Sequence, residues 1–331
     1  MAHSFRCVTR TLALAASLAA AAAGAADPSA GSGQGYPTRP IRCIVNASPG
    51  GAPDVIARAL GIKLAASLGQ QIVVDLRSSA GGLVAGELVA TAPPDGYTVM
   101  LAGAAIFGVL PAVRTRLPFD PFKDFAPVTL VAESPNVVAV TPGIPVKTVA
   151  ELVQYAKATP LLFASSGALT PAHLGGELLN ALAGLKMTHV SYKGAAPALT
   201  DLMAGQVQVF VTAPISAMPH VPSGRVRVIA TTGVKRNPAW PDLPTVAETL
   251  PGYDITQWWG LVVPAKTPAA IQKRLHEATV EALRAPELRE RFAAQGATTV
   301  GSTPQELAAF IRAEFVRTTR IVKQAGIPRE E

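Results

Sequence analysis

Two stretches of this chain combine small hydrogen-bonding residues with glycine in the pattern of an anion-binding turn. The first, 46–51 (Asn-Ala-Ser-Pro-Gly-Gly), follows an apolar run at 41–45, and the second, 165–167 (Ser-Ser-Gly), follows an apolar run at 161–164. Each leads into an amphipathic run. A strand that passes through a glycine turn into a helix directs backbone N–H groups and the positive end of the helix dipole to one place. The pair predicts two lobes that hold an anionic solute between them.

Glycine and hydroxyl residues of the two turns are the candidate binding groups. Gly50 and Gly51 lack a Cβ, so a ligand can approach their backbone closely. Ser165, Ser166 and Thr170 each carry an O–H donor. A hydrogen bond to a charged group contributes roughly 1.5–3 kcal/mol and a micromolar complex needs about 8 kcal/mol, so three or four such bonds with modest apolar burial suffice. No metal or cofactor is required.

Several of these residues also have structural or catalytic alternatives. The pair Ser165-Ser166 can be a plain helix cap, and Asp54 fits better as a first-turn residue that favours the helix dipole than as a ligand contact. Ser165, His173 and Asp201 can be imagined as a hydrolase triad, but spacing alone does not imply a nucleophile–base hydrogen bond. The sequence has no nucleophile elbow, zinc-protease, P-loop or dinucleotide motif, and its histidines lack metal-ligand spacing. We therefore expect neither catalysis nor a bound metal.

The N-terminus has the layout of a secretory signal peptide. Two arginines precede an apolar stretch at 12–23, and small residues at 23–25 offer a cleavage site. The apolar stretch is too short to be a permanent membrane span; the alternative is an ordinary N-terminal helix. We expect residues 1–25 to be removed, 26–35 to form a flexible leader, and the mature protein to reside in the periplasm.

Composition limits the class of protein further. The chain has 331 residues, of which 49% are hydrophobic, which is ample for two cores. Its formal net charge of +7 is spread out and includes no basic block with interleaved aromatics, so no nucleic-acid partner is expected. Once the signal peptide is lost, Cys43 is the one remaining cysteine, which excludes an internal disulfide. No later apolar run is long enough to span a bilayer, so we expect the mature protein to be soluble. We also expect it to be a monomer.

Alternating strand and helix patterns predict mostly parallel sheets with right-handed crossovers. A capping box at Thr148 and Glu151 predicts a helix start within the middle of the chain. The chain then returns through an apolar strand at 257–263 and two helices that start at Thr267 and Thr303, so the first lobe should be discontinuous in sequence. The predicted boundaries are 36–140 and 258–331 for lobe 1 and 141–257 for lobe 2.

An ordered series of short motifs carries a family resemblance. The motifs are Tyr36-Pro37-x-Arg39-Pro40-Ile41-Arg42, Pro49-Gly50-Gly51-x-x-Asp54-x-x-Ala57-Arg58, Ala80-Gly81-Gly82, Pro94-Asp95-Gly96-Tyr97-Thr98, Leu117-Pro118-Phe119-Asp120-Pro121, Ala164-Ser165-Ser166-Gly167, His173-Leu174, Tyr192-Lys193-Gly194 and Asp242-x-Pro244-Thr245. The series spans the mature chain from Tyr36 to about Ile327. It resembles the extracytoplasmic solute receptors of tripartite tricarboxylate transporters, the Bug-type receptors.

The resemblance implies an α/β type II periplasmic-binding-protein fold, with two lobes that close on a small carboxylate and a membrane transporter that receives it. In such receptors the two turns contact carboxyl groups, partly through water, and the segment at 194–196 with the strand end near Thr212 completes the cleft. An alternative role is a sensor that presents its closed form to a signalling partner. The implied ligand-binding residues are Ser48, Pro49, Gly50, Gly51, Ser165, Ser166, Gly167, Thr170, Ala195, Ala196 and Thr212.

Two departures from the common family pattern bear on the ligand. Where members often carry Thr, His and Asn after the third strand, this chain has an apolar run that includes Ile106 and Phe107. These side chains could form one apolar wall of the cleft and favour an aromatic or branched carboxylate; equally, Phe107 could pack beneath the loop. Near Thr212 there is no acidic residue to meet an ammonium group, so we expect a ligand without a free amine.

Overall fold

The computed structural model describes residues 35–78 and 80–329. The predicted signal peptide lies outside these residues, as does the predicted leader apart from Gly35. The strands are, in chain order, β1 (Ile41–Val45), β2 (Ile72–Leu76), β3 (Thr98–Gly103), β4 (Phe125–Pro135), β5 (Val137–Val140), β6 (Leu162–Ser165), β7 (Thr188–Ser191), β8 (Val209–Thr212), β9 (Arg227–Thr231), β10 (Thr256–Pro264) and β11 (Thr298–Thr299).

Helices alternate with these strands along most of the chain. They are α1 (Ala52–Leu68), α2 (Leu83–Ala90), α3 (Leu110–Val113), α4 (Val149–Ala158), α5 (Pro171–Ala183), α6 (Ala195–Met203), α7 (Pro214–Ala217), α8 (Ala269–Arg284), α9 (Pro286–Ala293) and α10 (Pro304–Gln324). A π-helical segment (Ala105–Val109) precedes α3, and a short 3-10 turn (Ala80–Gly82) precedes α2.

The first sheet has the strand order β11-β4-β10-β3-β1-β2. Strands β2 and β3 are parallel to β1, whereas β10 lies antiparallel between β3 and β4. Strand β10 comes from the last third of the chain, so this lobe is discontinuous in sequence. Buried strand residues point alternately into helical layers on the two faces, as in sheets covered on both sides: Cys43 packs with Leu60 and Leu275, and Ile44 packs with Leu110 and Ile311.

The second sheet has the strand order β7-β6-β8-β5-β9. Strand β5 pairs antiparallel with both β8 and β9, which places 137–140 in the second lobe. The first crossing between lobes therefore lies before β5, whereas the sequence prediction placed it after residue 140. Helices α4 and α5 cover one face through Leu152 and Leu178, and α6 and α7 cover the other through Leu202 and Ala217.

The topology makes the two sheets face each other at one end of their strands, called here the edge of each sheet. Strands β3 and β4 are both antiparallel to β10, so β1, β3 and β4 all end at the same edge. Strand β5 begins at the edge where β6 and β8 end. Because β4 runs into β5 through Asn136, the carboxyl-terminal edges of the two sheets meet at the crossing. The turns that follow β1 and β6 therefore lie on facing edges, where ligands bind in open α/β sheets.

Candidate functional site

The turn after β1 is held by its own hydrogen bonds. Ser48, Pro49 and Gly50 are exposed, and Gly50 has a φ of +76°, which favours glycine. The Gly50 N–H donates to Oδ2 of Asp54 at 2.9 Å, and the Gly51 N–H donates to the Ser48 carbonyl at 3.1 Å. The sequence predicts that this turn directs its N–H groups at an anionic ligand, but the Gly50 and Gly51 amides are engaged within the protein.

Asp54 acts in this turn as an internal anion. Its side chain is buried, and its second oxygen, Oδ1, accepts from Nε of Arg58 at 2.6 Å. Both carboxylate oxygens therefore have partners inside the first lobe. This agrees with the interpretation of Asp54 as a structural first-turn residue rather than a ligand contact.

A close approach between two loops places Asn46 at the same edge. A Cβ added to Gly82, whose φ is +101°, would lie 2.7 Å from Nδ2 of Asn46 and 2.9 Å from Cγ1 of Ile106. Glycine at position 82 therefore allows the loop before α2 to reach Asn46. Asn46 is partly exposed, and its amide is a polar group that the sequence prediction did not single out.

Ile106 and Phe107 lie in the core, and each is 1% exposed. The Phe107 ring stacks on Trp258 at 6.1 Å and meets Phe125 edge to face at 5.5 Å. The prediction of an apolar cleft wall is wrong for Phe107, because α10 and the strands of the first sheet enclose its ring; the alternative, packing beneath the loop, is what the structure shows. Ile106 is equally buried and lies against Gly82, so the prediction of an exposed apolar wall is wrong for Ile106 as well.

In the turn after β6, two of the predicted hydroxyl donors are already engaged. Ser165 is fully buried; its hydroxyl donates to the Gly167 carbonyl at 2.8 Å and lies 2.7 Å from Nε2 of His189. Thr170 caps α5: its hydroxyl accepts from the His173 N–H at 3.3 Å and donates to the Gly167 carbonyl at 2.7 Å. A hydroxyl has one proton to donate. The prediction that Ser165 and Thr170 donate to a ligand is therefore wrong.

Ser166 is the hydroxyl of this turn that stays available. Ser166 is partly exposed, and its Oγ has no hydrogen-bond partner within residues 35–78 and 80–329. Its carbonyl accepts from the Gly194 N–H at 3.1 Å, which ties the turn after β6 to the turn after β7. The plain-cap alternative for the serine pair does not hold, because the cap of α5 is Thr170.

The start of α6 adds two backbone donors beside this turn. Gly194 is the N-cap residue with a φ of +113°, and the N–H groups of Ala195 and Ala196 have no acceptor among the described residues. Free amides at a helix N-terminus favour an anion. Tyr192 holds the helix in place by donating to Oδ2 of Asp201 at 2.7 Å; burial and the adjacent carboxylate raise the pKa of Tyr192 to about 12.

Polar groups also line the sheet edge at the crossing. Thr212 is 2% exposed and lies opposite Val137, which also pairs with Thr231. Among the buried atoms that lack a partner within the described part of the chain, two lie at this crossing: Nδ2 of Asn136 and Oγ1 of Thr231. The Asn136 amide is oriented by Gln257, which donates to its oxygen. The sequence prediction missed Asn136, although a polar residue between two apolar strands was a signal.

The imagined hydrolase triad does not form. Ser165 bonds to His189 rather than to His173, and Asp201 bonds to Tyr192. Among the described residues, no group of three His, Cys, Asp or Glu side chains could hold a metal ion. In the same part of the chain, no helix has the length and apolar composition needed to cross a bilayer.

Comparisons with known proteins agree with this architecture. Residues 56–327 match the family described as tripartite tricarboxylate transporter family receptor. BugT of Bordetella pertussis (strain Tohama I) is 34% identical over 323 residues, covering 96% of this chain and 98% of BugT. A protein from the tcbD-tcbE intergenic region of Pseudomonas sp. (strain P51) is 36% identical over 291 residues, covering 87% of this chain and 86% of that protein.

Solved structures with the same fold include two receptors with bound acids. Rpa4515 of R. palustris with adipate has a TM-score of 0.84 and 34% identity, covering 89% of this chain and 100% of that chain. MatC from Rhodopseudomonas palustris with bound malate has a TM-score of 0.79 and 31% identity, covering 87% of this chain and 100% of that chain. The predicted two-lobed α/β fold is confirmed. The family consists of solute receptors rather than enzymes, and with the match over 56–327 the chain belongs to the tripartite tricarboxylate transporter receptor family.

Proposed function

We propose that the protein is a periplasmic receptor that captures a small organic carboxylate between its lobes and delivers it to a tripartite tricarboxylate-type membrane transporter. The observation that carries the proposal is a group of donors on the second lobe that have no partner among the described residues. They are the Ser166 hydroxyl and the Ala195 and Ala196 N–H groups, beside the sheet end that faces the turn at 48–51. The mechanism is lobe closure driven by binding, with no covalent step.

Two observations support an amine-free dicarboxylate as the ligand class. Similar receptors have been solved with adipate and with malate, which are dicarboxylates without an amine. The loop after β8 here carries Ala213 and Pro214, so it has no carboxylate to receive an ammonium group. Because Phe107 is buried in the core, the earlier reason to favour an aromatic acid no longer applies. By analogy with these two receptors, we propose an aliphatic dicarboxylate as the ligand.

Isothermal titration calorimetry of the mature protein tests this proposal. The panel contains adipate, malate, citrate, benzoate, aspartate and glutamate. We expect binding of an amine-free dicarboxylate at micromolar concentration or tighter. Tight binding of aspartate or glutamate would contradict the exclusion of an amine, and binding of none of the acids would contradict the carboxylate class.

Secretion and transport need separate tests. Mass spectrometry of protein exported from a Gram-negative host should show cleavage after position 25; an uncleaved chain in the cytoplasm would contradict the periplasmic location. Deletion of the gene should abolish uptake of the bound acid. Loss of induction with uptake intact would instead support the sensor role. The monomeric state also stays a prediction, which light scattering of the purified protein can check.

A further inference from the structure

Three aromatic rings stack directly beneath the turn after β6. The rings of His173 and His189 lie 3.8 Å apart, and the Phe163 ring lies 4.9 Å from His189 and 6.3 Å from His173. All three ring pairs are within 29° of parallel. Gly176 on α5 allows this packing, because a Cβ there would lie 2.0 Å from Phe163. Neither histidine is one of the donors that the proposed function assigns to the ligand.

Hydrogen bonding fixes which nitrogen of His189 carries the proton. The Ser165 hydroxyl donates its one proton to the Gly167 carbonyl, which cannot itself donate. Nε2 of His189, 2.7 Å from the same oxygen, must therefore be the donor of that contact. The Gly167 N–H also points to the Ser165 oxygen, at 3.3 Å. Ser165 thus joins His189 to both backbone groups of Gly167.

The second histidine is fixed in the same way. Nδ1 of His173 accepts from the Leu169 N–H at 3.1 Å, so its proton is on Nε2, which faces Glu177 at 3.5 Å. Leu169 has a φ of +58°, an uncommon conformation for a leucine, which such a contact helps to hold. The two histidines therefore hold the turn from 165 to 169 at both ends.

These contacts determine what the turn presents to a ligand. The Gly167 carbonyl accepts from both Ser165 and Thr170. A carbonyl oxygen held by two hydroxyls inside the lobe is kept from facing a carboxylate, which it would repel. Ser166, between the two held residues, keeps its hydroxyl for the ligand.

We propose that His189 is a positioning residue of the receptor: through Ser165 it holds the Gly167 carbonyl inward and sets the turn that binds the carboxylate. The inference rests on the proposed function. A neutral imidazole suits this role, because it donates without bringing a charge beside the anion site. The charged and titratable groups that face it are His173 and Glu177 of α5, and burial, with the nearby His173, lowers the pKa of His189 to about 4.

Two variants separate the hydrogen bond from the ring packing. His189→Phe keeps a ring in the stack and removes the donor, whereas His189→Gln keeps an N–H donor at about the same reach. With adipate and malate as probes in calorimetry, we expect His189→Phe and Ser165→Ala each to weaken binding about tenfold, and His189→Gln to stay within about threefold of the wild type.

The double variant tests whether the two residues act through one contact. We expect Ser165→Ala/His189→Phe to bind no more weakly than Ser165→Ala alone, because the second change removes a bond already lost. Losses that multiply, or wild-type affinity in His189→Phe, would overturn the proposal. Equal weakening by His189→Phe and His189→Gln would also overturn it, since ring packing would then be the cause.

Nuclear magnetic resonance tests the same contact without a ligand. In protein labelled with ¹⁵N-histidine at pH 7, we expect His189 as the Nε2–H tautomer, and faster exchange of the Gly167 amide in His189→Phe than in the wild type. An Nδ1–H tautomer, or unchanged exchange, would overturn the inference. If the wild type binds neither probe, the proposed ligand class fails while this experiment still decides the role of His189.

Discussion

At the scale of single residues, the same chemical type serves two different purposes within one turn. Ser165 and Ser166 are adjacent, yet the first is fully buried and engaged with His189 and Gly167, while the second is partly exposed and its hydroxyl has no partner among residues 35–78 and 80–329. The sequence could identify the serine pair, but not which of the two is buried, because successive side chains of a strand point to opposite faces of the sheet. Which of the two hydroxyls is left without an internal partner among the described residues depends on the neighbours of β6.

Ser166→Ala should therefore weaken carboxylate binding more than any change of a distant serine. We expect a loss of about tenfold or more, because the hydroxyl is a donor to a charged group. Ser223→Ala is the matched control. Ser223 lies before β9, at the end of the second sheet away from the crossing, and among the described residues its hydroxyl bonds to the His220 carbonyl alone. Calorimetry that shows equal affinities for both variants would contradict the assignment of Ser166.

His189 also predicts how stability depends on pH. Its pKa is lowered from 6.5 to about 4 in the folded protein, mainly by burial. Between these values the unfolded chain binds a proton that the folded protein does not, so the stabilising contribution is fully present above pH 6.5 and is lost as the pH falls toward 4. Compared with His189→Gln, the wild type should lose free energy of unfolding across this range.

Urea denaturation of both proteins at stepped pH values measures this difference. The comparison removes the effect of carboxylates that titrate in the same range, because both proteins contain them. Parallel curves for the wild type and His189→Gln would show that His189 keeps an ordinary pKa.

At the scale of elements, the sequence predicts most helices and strands correctly, but not every helix cap. Thr303 and Glu306 form a capping box at the start of α10, where the sequence predicts that a helix starts. Thr148 caps α4 as predicted, yet the Glu151 carboxylate accepts from the Lys147 N–H instead of closing the box. Thr267 was predicted to cap α8, but its hydroxyl has no partner among the described residues. The helix begins one residue later than predicted, with Pro268 at the cap.

The contact between α5 and β6 gives a test at this scale. Gly176→Ala would place a Cβ 2.0 Å from the Phe163 ring, which cannot move away without disturbing the histidine stack. Overpacking should outweigh the helical preference of alanine and lower the free energy of unfolding by about 1–2 kcal/mol. In Gly143→Ala the nearest atom would be Oγ1 of Thr141 at 3.8 Å, so urea denaturation should show little change.

An unchanged Gly176→Ala would mean that the packing of α5 on β6 is looser than the structure indicates. A large loss in Gly143→Ala would show that both effects come from glycine replacement in general. Only the contrast between the two variants supports the close contact.

At the scale of the whole molecule, a group of ion pairs formed by Arg317, Asp254 and Glu314 connects the two lobes. Arg317 of α10 pairs with Asp254 and Glu314 at 2.5 Å each, and Glu314 is 5% exposed. The residue before Asp254, Tyr253, donates its hydroxyl to the Gly175 carbonyl of α5 in the second lobe at 3.1 Å. Arg317 therefore connects a helix of the first lobe to a segment held on the second.

Arg317→Met should destabilise the protein, because it leaves the buried Glu314 carboxylate without its cation. We expect a loss of about 1–3 kcal/mol in the free energy of unfolding at pH 7. Arg320→Met is the control on the same helix, since Arg320 is exposed and surface changes usually stay within about 0.5 kcal/mol. Urea denaturation that ranks Arg320→Met as equally destabilising would contradict a structural role for this ion-pair group.

The sequence by itself determined the family, the two lobes and the two turns, because these depend on local patterns: apolar runs, glycines that permit positive φ, and proline and capping residues at helix starts. Tertiary structure alone decided which groups in those turns are free. The Asp54 carboxylate accepts from the Gly50 N–H, and Phe107 lies in the core. The Ser165 hydroxyl donates to the Gly167 carbonyl, and its oxygen contacts His189, which is remote in sequence. Hydrogen bonds and burial are set by residues that only folding brings together.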